Sequence, residues 1–249
     1  MTGFIMAWTM FLAIPCPIQR WDEKKRPQML DSLPFIGLIA GGICCGIYAA
    51  CRALHLGFVG LALTAVMPWL VTGFMHLDGF MDCADAVLSF RDREKKLEIL
   101  KDSHVGSFAV ICMAVLAVFT FASWLQTAYG ARLWTLVLIP AASRAVTSAC
   151  VLGFKSLSTS SYASTGGKSG SAGHIAFCII VCLAACAAGI VLCGLQGIAV
   201  IASAVCTLLT ILKVRANLGG MSGDISGCGI TVGECCAYIA LAIIVSTGK

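Results

Sequence analysis

Seven apolar runs constrain this chain more than any other feature of its sequence. They lie near residues 34–51, 56–75, 106–128, 132–152, 174–194, 195–212 and 232–247. Each approaches the roughly 20 residues that carry a helix across a bilayer core. Backbone polar groups in lipid must satisfy one another, so runs of this kind insert as helices. Only 12% of the residues are charged and the mean hydropathy is +0.94, where a soluble domain has roughly 25% charged residues. The expectation is an all-α fold: a polytopic membrane bundle of about seven transmembrane helices, forming one domain over residues 1–249. The first and last runs are short, and suit tilted, broken or partly re-entrant segments.

The N-terminal stretch MTGFIMAWTMFLAIPCP resembles a signal peptide in its apolarity only. Its basic cluster (Arg20, Lys24, Lys25, Arg26) follows the apolar residues, and Pro15 and Pro17 end the run early. It reads as an interfacial or re-entrant segment retained in the protein. The fifteen cysteines fall mostly inside the apolar runs, and Cys44-Cys45 and Cys235-Cys236 are adjacent pairs without Cys-x-x-Cys spacing. They read as small apolar residues at helix contacts.

Charge gives an orientation. Thirteen of the seventeen Lys and Arg residues fall on the side that holds the N-terminal segment and residues 76–105, 153–173 and 213–231. The other side has Arg52, Arg132 and Lys249, and Arg144 lies inside a run. The positive-inside rule makes the first side cytoplasmic. All twelve acids fall on that side or at its membrane edge. A through-path for ions needs polar groups along its depth, so chemistry gathered at one interface suits an enzyme of the cytoplasmic membrane, facing the cytoplasm. The basic residues border a membrane and lack an aromatic-lined groove, so no nucleic-acid partner is expected.

The densest acidic stretch is HLDGFMDCADA. Asp78, Asp82 and Asp85 stand at i, i+4 and i+7, on one face of a helix. Like charges so arranged weaken a helix, and a bound cation would offset that. Hard oxygen ligands suit Mg²⁺ or Mn²⁺ and do not suit zinc. Mg²⁺ commonly bridges one or two carboxylates to substrate phosphates, which points to a diphosphate-bearing substrate. The plainer alternative is a solvated helix start with acids near its N-terminus. His76, just before the cluster, is a candidate general base or substrate contact, or a hydrogen-bond partner of an aspartate.

Other candidates follow in order. The run RDREKKLEILK (91–101) reads as a surface helix with no catalytic role. Asp102 either caps the next span or joins the aspartates. Arg144 is the basic residue well inside a span, where its planar fork suits a phosphate or a structural carboxylate. Segment 156–173 is rich in Ser and Gly and reads as a mobile loop. Its Lys168 is a candidate phosphate contact, although GGKSG lacks the full phosphate-loop pattern. In NLGGMSGDISGCGITVGE, the glycines permit close approach to a ligand. Asn217 offers a neutral oxygen, and Asp224 and Glu234 add carboxylates.

Taken together these stretches resemble the cobalamin synthase family, the adenosylcobinamide-GDP ribazoletransferases. FLAIPCP, SLPFIGLIAGG, TGFMHLDGFMDCADA, LKDSHVGSF, AASR and LGGMSGD each resemble a family motif, in the family's order. Ala86 and Ala109 stand where the family usually has glycine, and Ala13 replaces a usual Thr or neighbouring polar residue. The resemblance implies attack by a ribose hydroxyl of α-ribazole, or of its 5′-phosphate, on the cobinamide-linked phosphate of adenosylcobinamide-GDP, with release of GMP. On that reading Asp78 and Asp82 are metal ligands, Asp85 a ligand or the base, and Asp102 and Asp224 secondary ligands or acceptor-orienting groups. Arg144 clamps a phosphate. Other enzymes of the cobamide pathway join the expected partners. Two alternatives stay open. A CDP-alcohol phosphotransferase would carry Ala-Arg after Asp-Gly, where this chain has Phe80-Met81-Asp82-Cys83. A cation transporter would use the aspartates as a coupling site.

Overall fold

The computed structural model describes residues 1–157 and 171–248. Its helices are α1 (Thr2–Phe11), α2 (Arg26–Ala53), α3 (Gly57–Val71), α4 (Met75–Leu88), α5 (Arg93–Ile99), α6 (Ser107–Thr127), α7 (Leu133–Gly153), α8 (Ala172–Cys193), α9 (Ile198–Leu218) and α10 (Gly223–Ser246). Among the described residues the only sheet-like pairing is an isolated bridge between Ser156 and Met221. The all-α expectation holds, and the chain is a multi-pass membrane protein.

Length and apolarity alone do not confirm the expected count of seven spans. Among the described residues five helical stretches are long and apolar enough to cross a membrane, or six if the α3–α4 pair is one span. One reason is that α3 has 15 residues and breaks by 85° into α4. The break uses two successive left-handed residues, Gly73 (φ 60°) and Phe74 (φ 61°). The other reason is that residues 172–218 count as one apolar stretch of 47 residues. Straight, such a helix would run about 70 Å, over twice the bilayer core. The chain instead turns at Gly194, and Gly189 and Gly197 then meet backbone to backbone.

The helix α7 is the centre of the bundle. Of its most apolar window 78% is buried, against 22% for residues 172–218 and 28% for α6. Those outer helices expose Val118, Phe119, Ile180, Leu183 and Val191, as a lipid-facing surface does. Lipid tails offer helices little hydrophobic drive to associate, so small residues and internal hydrogen bonds hold the bundle. Gly37 and Gly41 of α2 seat against the α7 backbone at Pro140 and Val137. Ser148 donates to the Leu30 carbonyl (2.8 Å) and Ser203 to that of Ile139 (3.1 Å). All fifteen cysteines are free thiols, which fits their reading as small apolar residues.

Contacts define two ends. At one, Tyr48 Oη accepts from the Ala131 N–H (3.0 Å), and Gln196 binds Gly130 and Arg132. At the other, His174 Nδ1 pairs with Asp31 (2.5 Å) and Leu157 donates to Met221 (2.9 Å). The short helix α1 lies at this second end. It has 10 residues, too few to cross. Gly3 packs on Gln28, and the Ala13 N–H donates to the Val71 carbonyl (2.8 Å). The aspartates sit at the same end.

Candidate active site

The helical spacing of Asp78, Asp82 and Asp85 is realised on α4, with Asp78 exposed and the other two half-buried. What α4 alone cannot supply is a partner helix. That is α10, whose first turn is capped by Ser222: its Oγ accepts from the Ile225 N–H (3.3 Å) and donates to Asp224 (3.3 Å). The two helices cross on glycines. Gly79 abuts the Asp224 backbone, and a β-carbon on Gly227 would stand 2.9 Å from the His76 carbonyl oxygen. Thr231 locks the crossing by donating to that same carbonyl (3.0 Å).

This crossing brings Asp224 to the α4 stripe. The Asp82 carboxylate lies within electrostatic reach of Asp78, Asp224 and Asp85, and Asp224 within reach of Asp78. Such crowding of like charge at low dielectric favours a cation. The donors are all carboxylates, the set that suits Mg²⁺ or Mn²⁺. Among the described residues no three or more His, Cys, Asp or Glu side chains form a preformed metal cage. The arrangement fits a cation that keeps waters and takes part of its coordination from a substrate.

Asp85 has a different setting from its neighbours on the stripe. Its Oδ2 accepts from the Gly106 N–H (2.7 Å) and its Oδ1 from the Ala109 N–H (3.0 Å). It therefore satisfies the open amides at the start of α6 and puts a negative charge at the helix's positive end. Asp102 was the sequence's candidate for that cap. Instead it lies on the surface and accepts from the His104 N–H (3.0 Å) and pairs with Nδ1 of the same residue (2.6 Å). Those bonds hold its carboxyl below the usual carboxylate range.

Arg144 is 1% exposed. Its Nη1 donates to Glu234 Oε1 (2.6 Å) and to the Pro140 carbonyl (3.1 Å), while Ser143 donates to the same Glu234 oxygen (2.9 Å). Glu234 thus engages one edge of the guanidinium, and among the described residues the buried Nε has no hydrogen-bond partner. Asn217 is likewise engaged: its Oδ1 accepts from Lys96 (3.1 Å). Arg93 donates to the Leu218 carbonyl (2.9 Å) and lies over Gly219. The charged run read as a surface helix is α5, which also braces the α9–α10 turn. Lys168 lies outside the described residues.

Beside Asp78 and Asp224 opens a cavity of about 130 Å³. His76 lines it, is 6% exposed, and among the described residues its Nε2 has no hydrogen-bond partner. The Phe11 ring lies parallel to the imidazole, with an interplanar angle of 11° and centroids 6.3 Å apart. Sequence reading left two parts of this end unassigned, the pairing of Glu234 with Arg144 and the place of Phe11. Glu234 had a signal, being the one carboxylate inside an apolar run as Arg144 is the one basic residue inside another. Phe11 had none, since an apolar residue among apolar residues carries no mark.

Comparison with known proteins supplies the family. Residues 3–242 match the Cobalamin-5-phosphate synthase family. The adenosylcobinamide-GDP ribazoletransferase of Clostridium perfringens (strain 13 / Type A) is 35% identical over 242 residues, covering 96% of each chain. That of Clostridium botulinum (strain Alaska E43 / Type E3) is 34% identical, covering 93% of each. That of Brevibacillus brevis is 30% identical, covering 97% of this chain and 98% of its own. No solved structure matches. With a match of this length, and with the motif aspartates gathered at one end of a membrane bundle, the chain belongs to the Cobalamin-5-phosphate synthase family.

Proposed function

We propose that this protein is an adenosylcobinamide-GDP ribazoletransferase that performs the final joining step of cobalamin synthesis. It transfers the adenosylcobinamide phosphate group from adenosylcobinamide-GDP to a hydroxyl of α-ribazole or its 5′-phosphate. The new O–P bond forms as the bond to GMP breaks, giving adenosylcobalamin or its 5′-phosphate. The observation that carries this reading is the convergence of Asp78 and Asp82 on α4 with Asp224 on α10, beside a cavity, in a chain matched by its family over residues 3–242.

Asp78, Asp82 and Asp224 would hold Mg²⁺ or Mn²⁺. When bound, the cation supplies charge neutralisation on the diphosphate and the departing GMP. The chain's own groups do the rest. His76 Nε2, buried and without a partner among the described residues, accepts the acceptor hydroxyl's proton. Asp85 anchors α6 against α4 and so fixes the stripe. Arg144 and Glu234 tie α7 to α10 behind the cavity. The asymmetry of basic residues supports a site facing the cytoplasm.

The test is GMP release by purified protein in lipid, given adenosylcobinamide-GDP with and without α-ribazole and Mg²⁺. Release that needs all three supports the reading. A folded preparation that releases no GMP overturns it, and ion flux in liposomes would then favour a transporter.

A further inference from the structure

The reaction joins a very large donor to a small nucleoside, and the cavity beside the aspartates can admit only one of them. Its volume is about 130 Å³. An engineered protein cavity of about 150 Å³ holds benzene, so this one takes an aromatic ring and excludes a corrinoid. Its inner wall is apolar: Phe11 from α1, Leu30 and Leu33 from α2, Val151 from α7 and Ile230 from α10. Its ionisable groups are Asp78 and His76 on α4 and Asp224 on α10, and the hydroxyls of Thr147 and Ser226 complete its polar lining. Small-molecule sites have this form, an apolar body with a few placed polar atoms.

The rings of Phe11 and His76 are within 11° of parallel, so a planar guest stacked on one lies parallel to the other. Leu30, Leu33, Val151 and Ile230 offer no side-chain hydrogen bonds. Thr147 and Ser226 also line the cavity, and their hydroxyls already donate to the Ser143 and Ser222 carbonyls, so the O6 and N7 acceptors of a guanine would meet no free hydroxyl donor there.

We propose that this cavity is the acceptor's base pocket: it takes the outer ring of the planar, weakly polar fused aromatic base of the acceptor nucleoside, with the second ring and the ribose leading out to His76, Asp78 and Asp224. This deepens the transferase reading and rests on it. It also gives α1 a function. The N-terminal helix is a wall of the pocket, and Phe11 and Val151 become residues that determine acceptor specificity.

The experiment is two-substrate steady-state kinetics of the full chain in lipid vesicles, varying α-ribazole and adenosylcobinamide-GDP separately. Val151→Phe fills the cavity. It is expected to raise KM for α-ribazole at least 10-fold while KM for adenosylcobinamide-GDP stays within 2-fold. An α-riboside of imidazole, which lacks the fused second ring, is expected to lose less than 3-fold. Phe11→Leu adds no bulk and serves if Val151→Phe does not fold. It is expected to raise the α-ribazole KM about 5-fold by removing the stacking face. An unchanged acceptor KM in the folded variants, or equal rises in both KM values, overturns the pocket while leaving the transferase reading intact. Absence of GMP release from the unsubstituted protein instead overturns the transferase reading itself.

Discussion

Gly79 and Asp224 touch backbone to backbone: a β-carbon at position 79 would stand 2.7 Å from the Asp224 Cα and 2.8 Å from its carbonyl oxygen. Neither atom can swing aside as a side chain can. Gly79→Ala therefore forces α4 off α10 and draws Asp78 and Asp82 away from Asp224. Overpacking of this kind costs about 1–3 kcal/mol. The expected result is a lowered unfolding midpoint in detergent and GMP release below one tenth of the unsubstituted rate. Full activity in Gly79→Ala would show that the close crossing is not what assembles the site.

The buried pair Arg144–Glu234 makes a prediction by its double substitution. Removing one partner leaves an uncompensated buried charge and costs about 3–5 kcal/mol. Replacing both with apolar residues of similar size removes the need for the pair. Arg144→Met and Glu234→Leu are each expected to destabilise strongly, and the double variant to be more stable than either. If the pair serves only to lock α7 to α10, the double variant also recovers GMP release. A stable double variant with a raised KM for adenosylcobinamide-GDP would assign Arg144 to the substrate phosphate.

Asp82 and Asp85 occupy the same face of α4 and should respond in opposite ways. Asp85 accepts two amide hydrogen bonds from the start of α6. Asp85→Ala leaves those amides open and is expected to cost about 1–2 kcal/mol, with Asp85→Asn intermediate, read from unfolding midpoints. Asp82 meets three like charges. In metal-free protein Asp82→Asn is expected to keep or raise the midpoint, since a like-charge contact is relieved, while GMP release falls at least 100-fold.

Metal addition separates binding from turnover. A ligand that binds only the folded state raises stability, by about 2.7 kcal/mol at a hundred times its Kd. Mg²⁺ is expected to raise the unfolding midpoint of the unsubstituted protein, most in the presence of adenosylcobinamide-GDP. The rise should be much smaller in Asp82→Asn. Equal shifts in both proteins would place the cation elsewhere.

Part of the site is legible residue by residue. The stripe of Asp78, Asp82 and Asp85 needs only helical periodicity, and its glycine-rich counterpart at 217–234 announces a close approach. Other parts are undecided when read locally. Asp102 stands just before α6 and looks like its cap, yet the cap is Asp85, which precedes Gly106 by a whole surface helix. Arg144 suits a phosphate or a structural carboxylate alike when read from its neighbours, and the carboxylate it meets, Glu234, lies 90 residues away. The charged run 91–101 looks detached, but Arg93 and Lys96 reach the α9–α10 turn.

By itself the sequence determined the class of fold, the helices and the chemistry of the donors. Those follow from runs of apolarity and from spacing along one helix, which neighbouring residues specify among themselves. The tertiary structure alone decided which helices meet. That choice rests on where backbones can approach without side chains between them, at Gly37 and Gly41 against α7 and at Gly79 and Gly227 between α4 and α10. Only there do Asp78, Asp82 and Asp224 come together, and there the apolar N-terminal helix closes on a cavity.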